Sequence, residues 1–90
     1  QLPDIFRLYQ NFPNPFNPST VIRYHLSAPC RVSLKIFDAA GREIAVLVDS
    51  AKPAGEHCVT WRPGGLPAGV YLYRLQAGAF TRMKKMIMVK

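Results

Sequence analysis

No stretch of this chain carries apolar residues at i, i+3, i+4 and i+7 over the length of a helix. Short alternating runs, broken by Pro and Gly, recur instead about every ten to twelve residues. A two-residue period puts successive side chains on opposite faces of an extended strand, so the chain is confined to all-β folds. In "STVIRYHL", Ser19 to Leu26, the residues Ile22, Tyr24 and Leu26 share one face and Val21, Arg23 and His25 the other. After Ser27-Ala28-Pro29, "RVSLKIFD" sets Val32, Leu34 and Ile36 against Arg31, Ser33 and Lys35, and is expected to form a hairpin with its predecessor. Ala40-Gly41-Arg42 supplies a turn before "EIAVLV", Glu43 to Val48. Pro53-Ala54-Gly55 precedes "EHCVTW", where His57, Val59 and Trp61 share a face that makes Trp61 a core residue. "RPGGLPA" is dense in breakers and leads to "GVYLYRL", Gly69 to Leu75. Facing Tyr71, Tyr73 and Leu75 inward leaves Arg74 in solvent. A turn at Gln76 to Ala79 and a last strand from Phe80 to Lys90 follow, the parity of that strand left open between Met86/Met88 and Ile87/Val89.

With a short strand near Phe6 to Tyr9, the count is about seven strands, the number and spacing of an immunoglobulin-like antiparallel β-sandwich. A small closed barrel is the alternative. Ninety residues, 49% apolar and 19% charged, suit one globular domain, assigned to 6–90 with Gln1 to Ile5 as a linker lead-in. The chain begins at Gln1 with neither an initiator Met nor an apolar signal region, and reads as a segment of a longer protein whose targeting signal would lie upstream. Its apolar runs are far shorter than the roughly 18 residues of a membrane span, so a soluble domain is expected.

"NFPNPFNPST", Asn11 to Thr20, can form neither helix nor regular sheet. Each X-Pro step pushes the preceding residue out of the helical region, and the Asn side chains can bond to nearby backbone. The segment reads as a stiff ramp into the first long strand, pinned to the core by Phe12 and Phe16. Its prolines also blunt a sheet edge, having no N–H to donate.

The net charge of +7 is uneven: Glu56 is the last acidic residue, and Arg62, Arg74, Arg82, Lys84, Lys85 and Lys90 follow it without compensation. Such a field attracts nucleic acid, anionic lipid headgroups, lipopolysaccharide phosphates or an acidic protein. With no polybasic block or signature motif, nucleic acid is not the expected partner.

Little in the chain points to chemistry. His25, expected to be exposed, and His57, expected to be packed, lie in no catalytic or phosphate-binding frame. The carboxylates Asp4, Asp38, Glu43, Asp49 and Glu56 stand singly at turns and strand ends. Cys30, read as a turn residue, and Cys58, read within a strand, suit neither a zinc site nor a disulfide scaffold, though one bridge between them is open. No catalytic residue, metal or cofactor is expected. The tyrosines of Gly69 to Leu75 are read as core, one of them at a tyrosine-corner-like position, and Met83, Met86 and Met88 as core filling.

Five pieces in order carry a further signal: "YQNFPNPFNPSTVIRYHL", "VSLKIFDAAGREIAVLV", "AGEHCVTW", "LPAGVYLYRLQAG" and "KKMIMVK". Together they resemble the type A C-terminal sorting domain of the type IX secretion system, over nearly the whole chain. The resemblance implies an Ig-like module at the C-terminus of a larger secreted cargo, passing through the periplasm to the outer-membrane translocon. A sortase-like peptidase would then remove it and join the cargo to anionic lipopolysaccharide at the cell surface; otherwise the cargo is released. Carried over residue by residue, Pro13, Asn14, Pro15, Phe16, Asn17 and Pro18 match the proline motif. Gly41 and Arg42 match the "GRE" turn, Gly69 and Tyr71 the "GVY" element, and Lys84, Lys85, Met86, Ile87, Met88, Val89 and Lys90 the terminal strand associated with recognition. The cysteines are outside the family pattern.

From this follows an expectation that the terminal strand docks on the translocon by its backbone or its basic face. Each of Lys84, Lys85 and Lys90 would contribute on the order of 1 kcal/mol at low salt. The proline segment would act indirectly, by locking the sandwich so that the strand is held in one geometry. An Ig-like structural scaffold and a carbohydrate-binding accessory module are the alternatives; the second requires a planar set of exposed aromatics.

Overall fold

The structure is a computed structural model that describes residues 5–90. The rest of the expected lead-in, residues 1–4, lies outside the described residues; Ile5 is exposed. Seven strands are formed among the described residues: β1 (Arg7–Leu8), β2 (Thr20–Leu26), β3 (Cys30–Asp38), β4 (Glu43–Lys52), β5 (Gly55–Trp61), β6 (Gly69–Ala77) and β7 (Phe80–Met88). A three-stranded sheet, β1-β2-β5, packs on a four-stranded one, β4-β3-β6-β7, and each of these strand pairs is antiparallel. The sandwich expected from the two-residue period is therefore present.

The inward faces follow the alternation. Ile22, Tyr24 and Leu26 of β2 meet Val32, Leu34 and Ile36 of β3 and Tyr71, Tyr73 and Leu75 of β6 in one buried core that includes Trp61. Burying an aliphatic or aromatic side chain of this size stabilises by ~1.5–3 kcal/mol, so these faces supply most of the driving force. Arg74 projects from the opposite face of β6, its guanidinium 4.9 Å above the Phe37 ring.

The expected β2–β3 hairpin does not form. β2 pairs with β1 and β5, whereas β3 pairs with β4 and β6, so Ser27-Ala28-Pro29 carries the chain from one sheet to the other. The reason lies in the two apolar faces. A hairpin would leave both on one side of one sheet, while separate sheets let each face cover the other.

The parity of β7 is settled by burial: Met86 and Met88 point inward and Ile87 outward. Met83 is 49% exposed and fills no core, because it shares the outward parity of Ile87. Strand β4 runs further than expected, to Lys52, and its pairing with β3 skips Ile44 and Leu47. These irregularities bring both skipped residues against the core and erase the alternation that a regular strand would show. Cys30 opens β3 opposite Lys52 instead of sitting in a turn, and Cys30 and Cys58 are free thiols.

Candidate functional site

Strand β7 is an edge strand, and an edge presents outward N–H and C=O groups at every second residue. On β7 these belong to the odd-numbered residues, as the partners of Lys85, Ile87 and Val89 show. The proline segment covers this half of the edge. The Asn14 Oδ1 accepts from the Ile87 N–H at 2.9 Å, the Phe16 N–H donates to the Ile87 carbonyl at 2.9 Å, and the Val89 N–H donates to the Phe16 carbonyl at 3.0 Å. The Gln10 Nε2 donates to the Lys85 carbonyl at 2.8 Å. The ramp read from the sequence is thus a strap laid along the terminal strand. The Phe12-Pro13, Asn14-Pro15 and Asn17-Pro18 bonds within it are cis.

Phe16 anchors the strap, 1% exposed and 5.8 Å from Trp61 between ring centroids. Phe12 is no anchor: it is 77% exposed, held by backbone bonds to Val21 in both directions while its ring stays in solvent. A polar lock takes its place. Asn11 and Thr20 are buried, and buried polar groups must be bonded. The Asn11 Nδ2 donates to the Pro13 carbonyl at 3.1 Å and to the Thr20 Oγ1 at 3.0 Å, while the Thr20 hydroxyl donates to the same carbonyl at 2.9 Å. The Asn11 N–H donates to the Tyr73 hydroxyl at 2.8 Å, and that hydroxyl donates to the Tyr9 carbonyl at 2.8 Å. Burial pushes the Tyr73 pKa up to about 12, against partial opposition from the Asn11 N–H, which favours the phenolate. Sequence reading missed Asn11, Thr20 and Gln10. The available signal was Tyr73, since an inward tyrosine hydroxyl in a β-core demands a polar partner.

The residues carried over from the family resemblance converge at this end of the sandwich. Gly69 pairs with Met88 and Tyr71 with Met86, while Phe16 bridges Met88 from the other side. Tyr71 stands edge-on to Trp61 at 5.6 Å and donates its hydroxyl proton to the Pro67 carbonyl, the back-bond of a tyrosine corner. Asp38, paired with Tyr71, accepts from the Arg42 N–H at 2.9 Å, the Ala40 N–H at 3.0 Å and the Arg42 Nε at 2.8 Å. These bonds, the Arg42 backbone N–H foremost, hold its pKa below the usual carboxylate range. Gly41 takes φ +88°, which other residues rarely adopt, so the "GRE" turn closes on the Asp38 carboxylate.

The terminal lysines do not make one basic face. Lys84 pairs with Tyr73 on the inward side of β7, and Lys85 pairs with Leu72 on the outer side, next to Ile87 in parity. Other sequence candidates are dispersed. His25 is half-buried and not exposed, with its Nδ1 2.8 Å from Glu56, which sits opposite it on β5. His57 stacks on Tyr24 and bonds the Pro53 carbonyl through Nε2. Trp61, Tyr71 and Tyr73 are buried and form no exposed aromatic platform.

Residues 10–90 match the family described as secretion system C-terminal sorting domain. The chain belongs to that family. It is a C-terminal sorting signal of the type IX system, which works with the secretion machinery and a cargo chain and takes proteins through the outer membrane to the cell surface or beyond. No curated protein matches the chain. Two solved structures from Porphyromonas gingivalis resemble this sorting domain in fold. One is dimeric latent PorU, at 23% identity and TM-score 0.72 over 99% of this chain. The other is PorZ, a surface component of the type IX secretion system, at 18% identity and TM-score 0.63 over 92% of this chain. The sorting domain spans 10% and 11% of those two chains.

Proposed function

We propose that the outer-membrane translocon reads β7 through its outward side chains, with the strap holding that strand in one geometry. The reading rests on the bonds from Gln10, Asn14 and Phe16 to Lys85, Ile87 and Val89. With those backbone groups already paired, strand addition to this half is closed, and what remains exposed is Lys85, Ile87, Val89 and Lys90. Cations interleaved with apolar side chains on a held edge suit a partner surface that is part apolar and part acidic. In this reading the domain crosses the periplasm as a folded module, performs no catalysis, and delivers its cargo to a sortase-like peptidase. The cargo is then joined to anionic lipopolysaccharide or released.

The test is the cell-surface fraction of a periplasm-directed reporter fused to residues 1–90, in hosts with the type IX system intact or disabled. Export that depends on the system is expected, and a Lys85→Glu, Ile87→Asp, Lys90→Glu variant is expected to stay folded and remain in the periplasm. Normal export of that folded variant would assign recognition to another surface. Retention of the unmutated fusion in both hosts would favour a scaffold module.

A further inference from the structure

The first half of β7 differs from the second in having no strap. Thr81 and Met83 share the outward parity of Lys85 and Ile87, and among the described residues no backbone group pairs with the Met83 edge. Beside this open edge runs a groove between β1 and β7 lined by Phe6, Arg7, Phe80, Arg82 and Lys84, among others. Phe6 and Phe80 stack at 5.6 Å, and the Arg82 guanidinium lies 5.0 Å over the Phe80 ring. The described side-chain carboxylates are engaged elsewhere: Asp38 with Arg42, Glu43 with Lys35, Asp49 with Arg31 and Glu56 with His25. None of them therefore offsets the groove cations.

We propose that this groove is a docking site for an extended acidic peptide segment of a partner protein. The segment adds a strand to the open half of β7, pairing its backbone with Met83, displacing the Arg82 Nη1 that donates to the Thr81 carbonyl at 3.2 Å, and setting alternate carboxylates against Arg7, Arg82 and Lys84. Two features favour this occupant. Strand addition satisfies the open edge groups of Met83, and every second side chain of an added strand falls on the cationic side. Nothing in this depends on how the second half of β7 is read by the translocon.

The test is a titration of the ¹⁵N-labelled chain with a synthetic peptide alternating Asp and Val. Shifts centred on Thr81 to Lys84 and slowed exchange of the Met83 amide are expected. Arg82→Glu with Lys84→Glu should weaken binding at least about tenfold. Met83→Pro should abolish it while the β6–β7 amides keep their shifts, because proline is tolerated on an edge strand where its missing N–H faces outward. Equal binding of the Lys-Val counterpart, or shifts confined to the outer face around Lys35 and Arg74, would overturn the docking site. A Met83 amide already protected before peptide is added would do so as well, since the edge would then be occupied. Tripolyphosphate displacing the peptide, with Met83 never protected, would overturn the strand pairing and reduce the groove to an anion site.

Discussion

The four-stranded sheet has two edges, β4 and β7, and the chain treats them differently. Strand β4 is covered by no described strand and is protected by its own irregularity: its register breaks twice, and Glu43, Asp49 and Lys52 place charges along it. Strand β7 pairs in unbroken register, and half of it is sealed by a separate segment that supplies side-chain and backbone partners. Bulges and charge suffice to keep an edge from pairing with other chains. A strap does more, because it also fixes where the outward side chains of the strand stand. The more demanding device is thus placed on the strand that ends the sorting domain.

The largest expected effect tests the anchor of the strap. Phe16→Ala removes a fully buried ring next to Trp61 and should cost ~3–5 kcal/mol. Val46→Ala on β4, where the side chain is 47% exposed, should change stability by about 0.5 kcal/mol or less. Urea denaturation of both variants measures the contrast, and amide exchange at Ile87 and Val89 shows whether the strap has lifted. Comparable losses for the two variants would remove the distinction between the edges.

Next is Tyr73→Phe, which deletes the hydroxyl that joins Asn11 and Tyr9. The loss at neutral pH should be ~1–3 kcal/mol, because the N–H of buried Asn11 is left without its partner. The pH dependence gives a sharper signature. The folded pKa of about 12 lies above the ordinary 10.0, so the folded state holds the proton more tightly. The stabilisation is whole below the ordinary value and is lost as pH rises through the folded one, by at most about 3 kcal/mol and by less where water screens the phenolate. Tyr73→Phe should lack this alkaline decline, and an unchanged alkaline limb in the variant would assign the decline to other groups.

A smaller effect is expected from Asn14→Ala. It removes the side-chain acceptor of an exposed bond to Ile87, which water can replace, for ~0.5–1.5 kcal/mol. The Ile87 amide should exchange faster while the Val89 amide, bonded to the Phe16 carbonyl, stays protected. Simultaneous loss of both protections would mean that the strap opens as one unit.

Strand existence, the inward faces of β2, β3 and β6 and the tyrosine corner were legible in the sequence because each follows from a local period or a turn residue. The β2–β3 crossing, the inward parity of Met86 and Met88, and the exposure of Phe12 were not, because each is decided by which sheet a segment joins. At the candidate site, Phe16, Gly69 and Tyr71 could be named from the resemblance to a sorting domain. That they gather around Met86 and Met88 depends on pairings between distant parts of the chain, which no local pattern encodes. Tyr73 shows the same limit from the other side: its inward position was readable from alternation, while its partners Tyr9 and Asn11 were not.

The smallest expected effect lies at the turn that leads into the looser edge. The Asp38 carboxylate accepts from the Arg42 and Ala40 N–H groups and from the Arg42 side chain, and its pKa falls below the ordinary 3.8. A depressed carboxylate pKa means that the folded state releases the proton more readily, so its contribution is present above the ordinary value and is lost as pH falls through the folded one. Asp38→Asn keeps an acceptor oxygen for the backbone N–H groups and removes the charge together with the Oδ2 acceptor of the Arg42 Nε bond. Its stability at neutral pH should drop slightly, because the Arg42 pair is exposed and screened by solvent. Below the ordinary carboxylate range the variant and the parent chain should converge, since both then carry a neutral side chain. Acid titrations of the two by circular dichroism would show the convergence. A gap that persists to low pH would mean that Asp38 holds the β3–β4 turn by geometry alone, and that charge plays no part in how this edge is kept.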